Sequence, residues 1–128
     1  MIKYSSDILK KTKIEIKHVP KGWGYEKWIV NCKAYCGKLL FFEKGKKCSW
    51  HYHKIKDEVF YLQSGKLLVT FSEDDDIDNA TSIILNAGEN FHVYTGLRHQ
   101  MYALEDSELF EFSTEHFDED SIRIKKGD

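Results

Sequence analysis

Residues 45–65 read GKKCSWHYHKIKDEVFYLQSG. Two histidines stand one residue apart, a glutamate follows the second by five, and a glycine closes each end. In an extended strand the side chains alternate, so His51 and His53 share a face with their Cα atoms about 6.7 Å apart. Two imidazoles at that spacing can converge on one ion. Glu58 opens the next strand after a short turn and can fold back beside them. A fourth donor is at hand in GENFHVYTGLRHQ (88–100), where His99 follows the Thr95-Gly96 turn. The bland alternative is a polar strand with no ion to hold. What decides is whether the rest of the chain builds a fold that gathers all four.

The surrounding chain keeps a β rhythm. KIEIKHV (13–19) alternates as a strand and KGWG (21–24) reads as a turn, with the only proline, Pro20, just before it. YEKWIVN and YCGKLLFFEKG read as two more strands, followed by SWHYHK, EVFYLQSG and KLLVTFS. The acidic run at 73–78 is expected as a solvated loop. SIILNAGE, NFHVYTG, HQMYALEDS and ELFEFST continue the short strand-and-turn pattern. Many short strands at even spacing predict a barrel or a double-sheet jelly roll. Only SSDILKK, near the start, has the pattern of a short helix.

Composition narrows the functional classes. The chain has 128 residues, 41% of them hydrophobic, which suits one folded domain with its own core. A net charge of −2 gives no argument for nucleic acid or an anionic membrane as partner. No stretch is apolar enough to read as a membrane span or a leader, so a cytoplasmic location is expected. Cys32, Cys36 and Cys48 lack scaffold spacing, and reduced thiols are expected. Cys32 and Cys36 stand four apart with no second pair to complete a zinc site. Arg98 and Arg123 are the only arginines, so where they fall matters for gripping carboxylate or phosphate.

The 45–65 stretch resembles the first motif of the cupin superfamily: glycine, five residues, His-x-His, three or four residues, glutamate, six residues, glycine. Gly45, His51, His53, Glu58 and Gly65 match every position. In the second motif Gly88, Gly96 and His99 match, while Tyr94 replaces a proline and Ala103 an asparagine. The resemblance covers roughly residues 22–114. It implies an all-β, single-domain cupin jelly-roll β-barrel; within 1–128 the residues themselves suggest an N-terminal arm or strand (1–20), the barrel (21–114) and a charged C-terminal tail (115–128) expected as a solvated end. It also implies one divalent transition metal (Zn, Mn, Fe, Ni or Co) held by His51, His53, Glu58 and His99, with positions open to substrate. His18, His92 and His116 are left outside the metal set. The alternative is a metal-free cupin whose histidines meet the substrate directly. Cupins commonly dimerise, and KIEIKHV could serve as a dimer strand.

Two further segments are similar to the type II mannose-6-phosphate isomerase domain. Trp23, Gly24 and Glu26 match its R-P-W-G-x-[YF]-E opening, with Lys21 and Gly22 in place of Arg-Pro. Glu111, Asp120, Ile122 and Arg123 follow its I-E-V-Q-x-G-x-x-x-x-E-D-D-I-x-R ending. That resemblance implies aldose–ketose isomerisation of a sugar or sugar phosphate through an enediol. Glu111 is the candidate catalytic base and Arg123 the candidate grip on an anionic group or enediolate. Lys38 is a weaker pocket candidate, and Arg98 is expected to face outward. The same ligand set also suits a non-haem oxygenase or lyase, and a non-enzymatic small-molecule-binding module stays open.

Overall fold

The structure is a computed structural model that describes residues 2, 3 and 5–128. Among them eleven strands form two antiparallel sheets. The six-stranded sheet runs β1 (Lys17–Lys21), β2 (Gly24–Asn31), β3 (Cys36–Phe42), β10 (Ser107–Ser113), β5 (Glu58–Ser64), β8 (Asn90–Val93). The five-stranded sheet runs β11 (Ser121–Lys125), β4 (Trp50–His53), β9 (Arg98–Ala103), β6 (Lys66–Ser72), β7 (Thr81–Asn86). Their inner faces enclose one core that includes Phe42, Phe60, Leu62, Leu67, Val69, Met101 and Leu109. This is the all-β jelly roll that the strand rhythm predicts.

Period-two alternation determines what faces inward, and it changes character along the barrel. On β3 the inward residues are Cys36, Lys38, Leu40 and Phe42; on β10 they are Ser107, Leu109 and Glu111; on β5 they are Glu58, Phe60 and Leu62. Leu109 lies opposite both Leu40 and Leu62, whereas Glu111 lies opposite Lys38. One end of the interior is therefore apolar and the other carries buried charge. Trp50, fully buried, donates its indole N–H to the Asp75 carbonyl, which ties the acidic loop to the barrel.

The turn into β6 depends on Gly65, whose φ is +92°. A Cβ there would also collide with the Asp106 carbonyl and the Ser107 side chain. Gly65→Ala is expected to cost about 2 kcal/mol or more, read as a lower urea midpoint with an unchanged slope.

Two sequence expectations are corrected. The first strand spans Lys17–Lys21, not 13–19, and Ile14 and Ile16 stay exposed outside it. Pro20 lies within the strand rather than ending it. Among the described residues β1 is an edge strand paired with β2, and an edge can accommodate the missing N–H. The 115–128 segment is not a solvated tail: β11 pairs with β4, placing Arg123 opposite His51. The short helix forms as expected over Ser6–Thr12, with Ser5 as N-cap.

Candidate metal centre

His51 and His53 come from β4, His99 from β9, and Glu58 from the first position of β5 in the opposite sheet. The register pair joining β4 to β9 is His51 with His99, which brings two rings side by side. Donor atoms of His51, His53 and His99 all lie within 4.8 Å of one another. Glu58 Oε2 approaches two of them, at 3.1 Å from His53 Nε2 and 3.5 Å from His99 Nε2.

Each ring is oriented by its other nitrogen. Nδ1 of His51 lies 2.9 Å from the Ser49 carbonyl, that of His53 3.2 Å from the Asp120 carbonyl, and that of His99 2.9 Å from the Leu97 carbonyl. A carbonyl can only accept, so each Nδ1 carries a proton, and in a neutral ring Nε2 keeps its lone pair for an ion. Glu58 Oε2 is buried and has no hydrogen-bond partner among the described residues. An orphaned carboxylate oxygen among imidazole lone pairs is expensive in a protein interior. A divalent cation would satisfy all of these atoms at once, so the donor set fits one.

Protonation states agree with that. Burial, reinforced by neighbouring His99 and His53, pushes His51 well below its ordinary value of 6.5. Burial, then His53, lowers His99 to about 3. Burial opposes ionisation of Glu58, but Lys56 and the His53 contact outweigh it and hold the carboxyl at about 2. Near neutral pH His51, His99 and Glu58 are thus already in their metal-binding forms. In the metal-free protein His51 and His99 stay neutral where the unfolded chain takes up protons. Both pKa values are depressed on folding, so their stabilisation is complete above about 6.5 and declines as pH falls below it. Glu58 adds a second loss from the ordinary carboxylate range down to about 2. Urea midpoints of the metal-free protein are expected to fall in that order from pH 7 to pH 3; a flat profile would contradict the neutral-ring assignment.

Lys56 is the central residue that sequence reasoning missed. Its ammonium donates to Glu111 Oε2 at 3.0 Å, pairs with Glu58 Oε1 at 3.4 Å and meets His116 Nδ1 at 3.1 Å. Burial alone would lower its pKa, but Glu111 and Glu58 raise it instead, so it stays charged. Ser113 donates a second hydrogen bond to Glu111 Oε2, at 2.8 Å. Glu111 therefore lies inside the barrel as an oriented, ion-paired carboxylate, in the same cavity as the histidines.

Asp120 holds the loop that carries Lys56. Its carboxylate accepts the backbone N–H groups of Lys54, Ile55 and Lys56 at 2.9, 3.0 and 2.9 Å. Asp120→Ala strands three donors and loosens the carbonyl that orients His53. A loss of about 3 kcal/mol is expected, together with weaker metal binding; unchanged values for both would remove Asp120 as the loop's anchor.

The remaining candidates are spread between the interior and its mouth. The cavity beside the histidines, about 70 Å³, is lined among others by Trp23, Glu26, Lys38, Glu58 and Glu111. Trp23 stacks on Phe42, and Lys38 lies 4.1 Å above the Trp28 ring and 3.5 Å from Glu26. Arg123 is not in that cavity. It lines an adjoining outer cleft of about 420 Å³ that His51, Trp23, Glu26 and His116 also border. Arg98 faces away, paired with Asp75 at 2.9 Å and stacked over Tyr52. His18 is exposed and His92 pairs with Asp57 at the surface. The three cysteines are free thiols. No helix among the described residues is long and apolar enough to cross a membrane.

Comparison with known proteins agrees with this architecture. The capsular polysaccharide assembling protein CapF from Staphylococcus aureus superposes with a TM-score of 0.75 at 17% identity, over 91% of this chain and 34% of CapF. Oxalate decarboxylase from Bacillus subtilis gives 0.74 at 17% identity, over 85% of this chain and 30% of the enzyme. This chain thus spans about a third of the length of either. KdgF from Halomonas sp. gives 0.67 at 19% identity, over 83% of this chain and 92% of KdgF. No curated protein sequence matches the chain. The family model described as "Cupin domain" matches residues 38–113, the span from Lys38 on β3 to the end of β10 that contains every candidate metal donor, and the chain belongs to the cupin family.

Proposed function

We propose that the chain is a metal-dependent isomerase that interconverts an aldose and a ketose, free or phosphorylated. The observation that carries this reading is the position of Glu111. Its carboxylate shares the small cavity with His51, His53, His99 and Glu58, and is oriented by Lys56 and Ser113. A divalent ion held by the three histidines and Glu58 would supply Lewis-acid stabilisation of the oxyanion that develops during enolisation.

The chain's own residues account for the proton movements. Glu111 takes the proton from the substrate carbon beside the carbonyl and returns it to the neighbouring carbon. Lys56 stays an ammonium and, with Ser113, holds the Glu111 carboxylate in place for that transfer. Trp23 and Glu26, the residues of the isomerase-like opening segment, border the same cavity and support the carbohydrate reading. The chain is proposed to act as a single domain and a homodimer.

The test is metal analysis of the purified protein, followed by aldose–ketose exchange on a panel of sugars and sugar phosphates, with and without the ion. Metal-dependent exchange is expected. Stoichiometric metal with no exchange on any member would overturn the isomerase reading and leave the metal centre standing.

A further inference from the structure

The two sheets differ on their outer faces. The five-stranded sheet turns Arg98, Gln100, Thr70 and Ser82 outward, as a solvated antiparallel sheet should. The six-stranded sheet does not. Its outward positions on β2, β3 and β10 include Tyr25, Leu39, Phe41, Phe110 and Phe112, with Tyr25 stacked on Phe41. Phe112 is left 59% exposed, so this sheet is apolar on both faces.

Gly37 opens a groove in that outer face. It lies on β3 between Val30 of β2 and Phe112 of β10. The groove, about 450 Å³, is lined by Ile29, Val30, Tyr35, Phe110 and Phe112. The Gly37 backbone is outside the left-handed region, and a Cβ there would meet only Val30 Cγ1, at 3.4 Å. The strand itself therefore does not require glycine. A glycine inside a strand often marks a place where another backbone approaches closely.

The chain also carries an apolar segment with nothing of its own to pack on. The helix Ser6–Thr12 buries none of its residues, and Ile8, Leu9, Ile14 and Ile16 are all exposed. A helix this short is not stable in water by itself and needs a surface to lie against. Ile14 and Ile16 alternate with Lys13, Glu15 and Lys17, which makes one side of the lead into β1 apolar. Every described residue before Val19 is exposed, so the segment does not occupy the groove of its own barrel.

We infer that the groove over Gly37 receives the N-terminal segment of a second copy, residues 5–16, in a symmetric exchange of arms. The inference rests on the homodimer reading and names the surfaces that join the two copies. The areas suit it. With about 200 Å² for each large side chain, the exposed fractions of segment and face amount to roughly 900 Å² per copy. A stable interface buries about 800 Å² per partner. Pro20 on β1 discourages the alternative of adding a strand at that edge.

The test is analytical ultracentrifugation of the full chain at micromolar concentration, where the wild type is expected to be a dimer. Gly37→Leu fills the groove and Ile14→Asp/Ile16→Asp spoils the arm; each is expected to weaken association about 30-fold or more. Phe112→Lys, a change at an exposed side chain, repeats the groove test should Gly37→Leu fail to fold. Mixing the arm variant with a groove variant restores one of the two contacts, so heterodimers are expected where neither variant pairs alone. Ile84→Asp, on β7 of the other sheet, is expected to stay dimeric. A monomeric wild type overturns the inference together with the homodimer reading. A dimer that survives the groove and arm variants overturns the inference and leaves the homodimer standing. A dimer lost in the groove variants but kept in the arm variant, or a mixture that forms no heterodimer, overturns the exchange of arms. Metal content is expected to be unchanged in every variant, so no outcome depends on the isomerase reading.

Discussion

His53→Ala is expected to abolish stoichiometric metal binding, and with it the largest share of the stability that the ion confers. His53 has the closest contact to Glu58 in the cluster, and its ring is fixed by the Asp120 carbonyl. Loss of an outer-shell partner alone typically weakens a metal site about 10–100-fold, and loss of a donor from a four-residue set should exceed that. An ion present at 1,000 times its Kd stabilises a fold by about 4 kcal/mol, on the order of 15 °C in Tm for a domain of this size. Wild-type protein should show that increment on adding the ion, and His53→Ala should not. His92→Ala, which removes a histidine at the surface, should behave as wild type. Elemental analysis reads the first difference and calorimetry the second. A His53→Ala protein that still carries one ion per chain would overturn the assignment of the centre.

The legible part of this molecule is the part governed by period two. In YCGKLLFFEKG, EVFYLQSG and ELFEFST, the positions that carry Leu40, Leu62 and Leu109 inward also carry Lys38, Glu58 and Glu111 inward. Parity alone thus brings the charged residues to the interior. His51 and His53 share a strand face for the same reason. Parity also separates Arg98 from His99, and Arg98 does face the acidic loop.

What lay beyond the sequence was non-local. Lys56 is in a loop between two strands, where no periodicity assigns a side, and its burial follows from Asp120 gripping the loop's backbone from 64 residues away. His116 is similar: Asn31, 85 residues distant, holds its backbone N–H and carbonyl, and Asp118 and Lys56 engage its ring. The tail carried a usable signal, since SIRIK alternates as an edge strand should, but its flanking charges pointed to solvent. The first strand was displaced because Pro20 reads as a terminator, although an edge strand tolerates it. Such errors matter for function, because β1 and β11 supply most of the cations at the mouth of the barrel.

Glu111→Gln is expected to keep the metal and the fold while removing turnover, which separates base from scaffold. The amide oxygen can still accept from Lys56 and Ser113, and Lys56 retains Glu58 as a carboxylate partner. The fold therefore avoids the about 3–5 kcal/mol penalty of a buried charge left without any partner. An amide cannot take a proton from carbon, so turnover should fall by about 10²–10⁴ with little change in KM. Solvent deuterium should stop appearing at the exchanged carbon, a signature that loosened packing would not give. If Glu111→Gln instead lost the ion or unfolded, Glu111 would be a strut for Lys56 and Glu58. If it retained full exchange, the base would have to come from elsewhere in the cavity, and His116, which borders both the cavity and the cleft, is the group whose replacement would then be informative.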